Sequence, residues 1–584
     1  MSPPPSPALP SGTRRAQRTA RSVRGASILA ASAAILVATP AQAEGDTFAD
    51  TLILDSGRPE LAPADAEKVE LQVHGEYALR FRGMSDLRLE PPVSNPALTT
   101  LGQNAYAYHW FRLTPRFRYR DKLQLVAQID IPRGLVLGDV TEGVGAVRDS
   151  MSEARWYEVH PRYLYLEYNS PIGIFRVGQQ GAFWGMGILA NDGDHPTIFG
   201  DYQRGSLSER LLFATTPMGK GTPLTVLVAG DMVFEDNTAD LLGNDLEDYE
   251  KDRPGVASDA TEAGRRTSGD RALQAVAGLL WRTKPAEAGL YAVYRHQERD
   301  TESVDALTPF VESLDVGVLD VTGKFHAPVP GAAAYLYGQT EIAAIFGSTS
   351  FVRNNYYAAT SPTTERQDER VRTFGAVARL GVVHTAGQGK GEFGRLVTEV
   401  EWGYASGDAD PYDGTTRRFS MDPNHNVGLV LFDHVLAWKS ARAATNAGDP
   451  SLVNRPAPGA QLLPSKGSVM GATYLNPRVV VRPQKWLDLK GGVVIAQTTA
   501  DFVDPYHAGA LGSFVNYDGG DAENHDLGLE LDLGVDARFP AAQGTTVAVG
   551  AEGGVLFPGG AFDDAAGNRL PNQYLAAVKA AVLF

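Results

Sequence analysis

Residues 68–82 alternate without a break. Val69, Leu71, Val73, Gly75, Tyr77, Leu79 and Phe81 fall on one side, and Lys68, Glu70, Gln72, His74, Glu76, Ala78, Arg80 and Arg82 on the other. A period of two belongs to a β-strand. The apolar side must be covered by a core or by lipid. The opposite side is too charged to face a second core layer and must be wet. Only a sheet with one apolar and one aqueous face accommodates such a stretch.

The same alternation recurs. Tyr106–Arg120 sets Phe111, Leu113, Phe117 and Tyr119 against Arg112, Arg116, Arg118 and Arg120, and His525–Phe539 sets Leu527, Leu529, Leu531, Leu533, Val535, Ala537 and Phe539 against Glu530, Asp532, Asp536 and Arg538. Such stretches number about eighteen, an even count as in bacterial single-chain barrels. The connections alternate short and long. Asp121-Lys122, Asn169-Ser170-Pro171, Thr283 to Ala286 and Pro483-Gln484-Lys485 are short; 133–158, 181–207, 235–268, 348–367, 406–467 and 501–523 are long. A soluble sandwich has no reason to sort its loops this way. A transmembrane antiparallel barrel does, with short periplasmic turns opposite long extracellular loops. In lipid every backbone amide must be paired, so the sheet has to close. The predicted fold is therefore all-β: a transmembrane antiparallel β-barrel of about eighteen strands.

The last run fits. Tyr574, Ala576, Val578, Ala580, Val582 and Phe584 make one wholly apolar face with an aromatic at each end, as a tilted strand with rings at both interfaces would. At the other end, Arg14, Arg15, Arg18, Arg21 and Arg24, the apolar run Ala26–Ala38 and Ala41-Gln42-Ala43 read as a secretory signal over 1–43. Residues 44–67 read as a flexible periplasmic leader and 68–584 as the barrel. That places the chain in the outer membrane of a Gram-negative bacterium, surrounded by lipid, with both termini periplasmic. Cysteine is absent, so neither disulfides nor thiolate metal sites are available. The formal net charge of −16 disfavours nucleic acid as a partner.

A barrel this wide holds an aqueous path unless loops fill it. The alternation turns Arg80, Arg112, Arg116, Arg176, Arg282, Arg295, Arg379, Arg395, Arg478 and Arg482 inward, together with Glu399 and Glu401. Two readings stand. The guanidinium groups form a ladder that steers an anionic solute, or they pair with inward acids such as Glu76, Asp130, Glu167, Asp488, Glu530 and Asp532 and merely brace the wall. Residues 181–205 and 406–466 are the candidate plugs of the lumen. Asp408, Asp410 and Asp413, around a glycine turn, could hold Ca²⁺ through hard oxygen ligands. A solvated turn explains them as well, and the same pair of readings applies to Asn191 to His195. No other cofactor is expected.

Two segments carry a resemblance. Glu401-Trp-Gly-Tyr-Ala-Ser-Gly-Asp-Ala-Asp-Pro-Tyr-Asp-Gly414, followed by Phe419 and Gly428–Phe432, is similar to the alginate-export family of outer-membrane barrels, and Gly173–Gly187 resembles the segment in such barrels where a strand leads into an inward loop. The resemblance implies an eighteen-stranded barrel passing an anionic polysaccharide outward, with periplasmic export partners. The alternatives are a general or substrate-specific diffusion porin for small solutes, and a structural, adhesive or enzymatic barrel. Neither Gly-x-Ser-x-Gly nor His-Glu-x-x-His occurs, and Gly219-Lys220 lacks the glycine spacing of a phosphate loop, so the chain reads as a non-enzyme.

Overall fold

A computed structural model describes residues 68–91, 96–97, 99–102, 104–138, 158–200, 205–219, 221–235, 239, 270–301, 310–351, 368–387, 392–411, 413–448, 464–541 and 544–584. The signal and leader expected over 1–67 lie outside them. Eighteen strands form the wall. They are β1 (Val69–Met84), β2 (Asn104–Tyr119), β3 (Leu123–Gly138), β4 (Glu158–Ser170), β5 (Gly173–Gly181), β6 (Leu207–Thr215), β7 (Leu224–Glu235), β8 (Asp270–Arg282) and β9 (Ala286–Thr301). There follow β10 (Phe310–Pro328), β11 (Ala334–Thr349), β12 (Glu369–Ala386), β13 (Phe393–Ala405), β14 (Ala472–Gln484), β15 (Leu487–Thr498), β16 (Asp526–Pro540), β17 (Thr546–Pro558) and β18 (Gln573–Leu583). Each pairs antiparallel with its chain neighbours, and β18 returns to β1 with Leu79 opposite Ala580 and Phe81 opposite Val578. The sheet therefore has no open edge, as a lipid environment requires. A two-residue strand, Thr415–Thr416, adds a short parallel pairing to the start of β12.

The outer surface is apolar. Leu71, Leu164, Leu533, Tyr574 and Val578 project outward, with Leu533 70 % and Val578 56 % exposed. Their odd or even partners on the same strands, such as Glu76, Arg80, Glu530 and Asp532, are buried inside. That inversion, apolar out and charged in, is the transmembrane-barrel pattern. Phe584 lays its ring against Gly75 on β1, where a Cβ would lie 2.3 Å from the ring, and its amide and carbonyl both pair with Gly75.

Parity alone mis-assigns two arginines, each at a β-bulge. Arg395 shares the parity of Glu399 and Glu401, yet it is exposed. The ladder between β12 and β13 slips there, pairing His384 with Leu396 and Thr385 with Gly394, so Arg395 is the extra residue and falls out of the buried row of Glu399 and Glu401. Arg162 has the outward parity of β4, yet it is fully buried. It is the extra residue between Tyr163, opposite Gln128, and Pro161, opposite Ile129.

The apolar core lies inside the barrel. Ile188, Ile198 and Phe199 from the β5–β6 connection, and Phe419, Met421, Val427 to Phe432, Val435 and Trp438 from the β13–β14 connection, pack with inward wall residues Val377, Val397, Val494, Leu527 and Leu556. Wall glycines supply the room. A Cβ at Gly289 would lie 2.6 Å from Trp184, at Gly375 2.2 Å from Phe419, at Gly492 2.8 Å from Phe199, and at Gly554 2.7 Å from Val430.

Candidate functional site

Two connections fold back into the lumen and are held by carboxylates of the wall. The first, 182–206, carries Trp184 against Tyr291 of β9, ring centroids 5.0 Å apart. Its Met186 and Ile188 amides donate to the Glu341 carboxylate of β11. Its Asp194 accepts from Arg112 of β2 at 2.8 Å, from the bulged Arg162 of β4 at 3.1 Å, and from the Tyr163 hydroxyl at 3.1 Å. The second connection, 406–471, sends a π-helical turn, Leu431–Leu436, into helix α1 (Ala437–Gly448). Gly428 adopts φ +69° just before it, which turns the chain so that three successive amides face one acceptor. Leu429, Val430 and Leu431 donate to Glu530 of β16 at 2.5, 2.8 and 2.7 Å. Asp433 pairs with Arg82 of β1. Lys439 of α1 bonds Asp518 at 2.7 Å and the Arg88 carbonyl at 2.9 Å, and Arg442 donates to the Glu90 carbonyl at 2.5 Å.

Of the sequence-predicted lumen residues, most are gathered into ion pairs on the wall. Arg112 grips Asp130 through two nitrogens at 2.7 and 3.0 Å. Arg176 meets Glu167 at 2.6 Å, and Arg482 meets Asp488 at 2.6 Å. Arg379 and Arg478 converge on Glu401 at 2.5 and 2.9 Å, and Arg478 also reaches Glu399 at 2.6 Å. Tyr337 and Tyr474 donate their hydroxyls to Glu399 and Glu401. Arg282 pairs with Glu287 at the short-turn end. Arg295 is half-buried on β9 and shares the inward parity of Gln297. Arg80 lies 3.8 Å from Glu76 and stacks its guanidinium 3.8 Å over the Trp110 ring. Arg116 is buried further along β2, opposite Gln72 of β1.

Charge is unevenly distributed around the wall. Arg80, Arg112, Arg116, Arg118, Arg162, Arg176 and Arg210 are all buried on β1 to β6. Arg162 and Arg176 ride over Tyr163 and Tyr165 at 4.6 and 4.7 Å, contacts that hold the guanidinium planes in place. Across the lumen, Asp320, Glu341 and Glu369 on β10 to β12 are buried acids, as are Glu530 and Asp532 on β16, three strands from β1. Much of the acid side is consumed in receiving the inward segments, because a carboxylate is the strongest available acceptor for amides that leave helix or sheet inside a low-dielectric lumen.

The inward set read from the sequence omits Arg162 and Arg210, names Arg82 only as part of the charged face of the first strand, and reaches Asp194 only through the Asn191–His195 turn. Arg210 bonds Asp231 through two contacts of 2.7 Å on a strand whose apolar composition hides its facing. Asp194 was visible in the Asn191–His195 turn, where the Asp192 carboxylate accepts the Asp194 amide and sits 2.9 Å from His195 Nδ1. Asp408 accepts the Arg417 amide at 2.9 Å, and Asp413 takes the Arg417 guanidinium at 2.8 Å, so these carboxylates serve their own turn. Asp410 contributes its amide to Asp408.

No protein-family model matches the chain, so the alginate-export resemblance gains no support there, and no curated protein matches it. Solved structures that resemble it include Acinetobacter baumannii OccAB2, at 10% identity over 88% of this chain and 98% of that one with a TM-score of 0.44. Acinetobacter baumannii OccAB1 matches at 10% identity over 89% and 100% with a TM-score of 0.43. Pseudomonas aeruginosa OccK5 (OpdH) matches at 10% identity over 88% and 98% with a TM-score of 0.41.

Proposed function

We propose that this chain is an outer-membrane diffusion channel selective for a small solute, and that the solute is anionic. The observation that carries the reading is the pair of inward segments tied to Glu341 and Glu530, which narrows a lumen otherwise wide enough for bulk flow. A pore built to pass a polysaccharide needs a continuous wide track. A lumen holding an apolar core of Phe199, Phe419, Phe432 and Trp438 favours a small solute instead. The arginines of β1 to β6 support an anion preference, since they outnumber the acids facing them on that side and are aligned by aromatic rings.

The test is single-channel recording of the refolded protein in a planar bilayer under a salt gradient. The expected result is a small, steady conductance with a reversal potential on the anion side, insensitive to an acidic polysaccharide. Charge reversal at Arg80 and Arg116 should move the reversal potential toward cations. A large conductance that an acidic polysaccharide blocks would return the export reading. No conductance would favour a structural barrel.

A further inference from the structure

We propose that Glu90 and His507 form a binding site for a divalent cation of the zinc class, with Asp504 as the carboxylate that orients the imidazole. Two connections at the long-loop end meet here: Glu90 follows β1, whereas Asp504 and His507 lie between β15 and β16. Asp504 is buried, and its Oδ2 lies 2.6 Å from His507 Nδ1 while its Oδ1 accepts the Tyr506 amide at 2.9 Å. The three-residue spacing puts the two side chains on one helical turn. With Nδ1 committed to Asp504, Nε2 faces the other way, 3.1 Å from Glu90 Oε1. One donor atom from each of the three residues falls within 4.8 Å of the others.

A nitrogen and an oxygen that share a zinc ion at ordinary bond lengths sit roughly 2.9–3.5 Å apart. The 3.1 Å separation falls in that range, so a small shift of the Glu90 carboxylate off the imidazole axis seats the ion. A histidine ligand is ordinarily held through its second nitrogen by a carboxylate, and Asp504 is so placed. The Glu90 side chain is 27% exposed, which leaves room for water to complete the coordination. The imidazole favours zinc, nickel or copper over calcium and magnesium, which prefer an all-oxygen set. Without metal, a proton occupies the same place. Burial opposes that charge, but hydrogen bonds to Asp504 and Glu90 raise His507 to about 10. A dication at Nε2 takes the place of that proton beside Glu90, so binding releases a proton and strengthens as pH rises.

The site lies under the anchors of α1. Arg442 donates to the carbonyl of Glu90 itself, and Lys439 to that of Arg88. A metal that joins the two connections would fix the seat of the lumen helix.

The experiment is calorimetric titration of zinc chloride into the refolded full-length chain. One zinc per barrel is expected. Glu90→Gln and His507→Gln should each weaken binding at least about tenfold, and Asp504→Asn about 10–100-fold, the range for orienting carboxylates. His525→Gln, which removes the imidazole beside Asp501, should leave affinity unchanged. Each variant is first shown to fold by its heat-modifiable gel migration. Absence of zinc binding in the parent chain overturns the site. So does parent-like affinity in Glu90→Gln or His507→Gln, or magnesium binding that matches zinc and persists in His507→Gln.

Discussion

Glu530 is the acceptor on which the second inward segment turns, and Glu530→Leu tests that directly. The substitution removes the partner of three amides, those of Leu429, Val430 and Leu431, in a fully buried position. A hydrogen bond to a charged acceptor contributes about 1.5–3 kcal/mol, and leaving a buried donor unsatisfied costs about 1–3 kcal/mol. The three donors share one carboxylate and move as a unit, so their losses do not add. A weakening of about 3 kcal/mol follows, which multiplies the unseated population by roughly 150. The contacts Asp433–Arg82, Lys439–Asp518 and Arg442–Glu90 remain, so the segment is expected to flicker out of place rather than leave. In single-channel records this reads as frequent transient openings above the parent conductance. Proteinase K should also cut 413–448 in the variant at a dose that spares the parent. A folded Glu530→Leu barrel whose conductance and noise match the parent would refute the idea that this carboxylate holds the constriction.

Gly289→Leu should unseat Trp184, because even a Cβ there lies 2.6 Å from its ring, and overpacking of this kind costs about 1–3 kcal/mol. Quenching of tryptophan fluorescence by a soluble quencher should rise. Leu533→Arg, on the lipid-facing side of β16 and 70% exposed, should lower stability by about 2–4 kcal/mol if the residue sits near the bilayer midplane. Urea unfolding in vesicles measures it, with Leu71→Arg as a second outward site. His507 carries its proton more tightly folded than unfolded, so its contribution is complete below the ordinary value of 6.5 and is lost as pH rises through about 10. Nicking of 85–91 by proteinase K should therefore accelerate between pH 7 and 10.5 in the parent and stay level in His507→Gln.

The lumen was only partly legible beforehand. The alternation of Glu76, Arg80, Arg112, Arg116, Arg176, Arg478 and Arg482 was enough to turn them inward, and the structure buries them all. Their pairing could not be read from spacing, because Arg379, Arg478 and Glu401 meet only when β12, β13 and β14 lie in register. Arg395 and Arg162 depart from the expected burial for a different reason. A bulge inserts one residue and reverses parity; Pro161 and Gly394 mark the two places, but a count of alternating residues passes over them.

The plug segments show the same division. Their length and their glycines were visible, and 181–205 and 406–466 stood out as candidates. What holds them inside was not visible. Glu530 reads as one more inward acid on a clean alternating strand, and Glu341 as the last of three polar residues, Gln339 to Glu341, between apolar runs. Each becomes an anchor only when chain distant in sequence brings its free amides to it.

By itself the sequence determined the barrel. A period of two, sustained over many strands and sorted by loop length, leaves lipid outside and water inside, and backbone pairing in lipid forces closure. The tertiary structure alone decided how narrow the passage is and which charges face it. Those properties depend on contacts between strands and inward loops hundreds of residues apart, and a local pattern carries no information about such contacts.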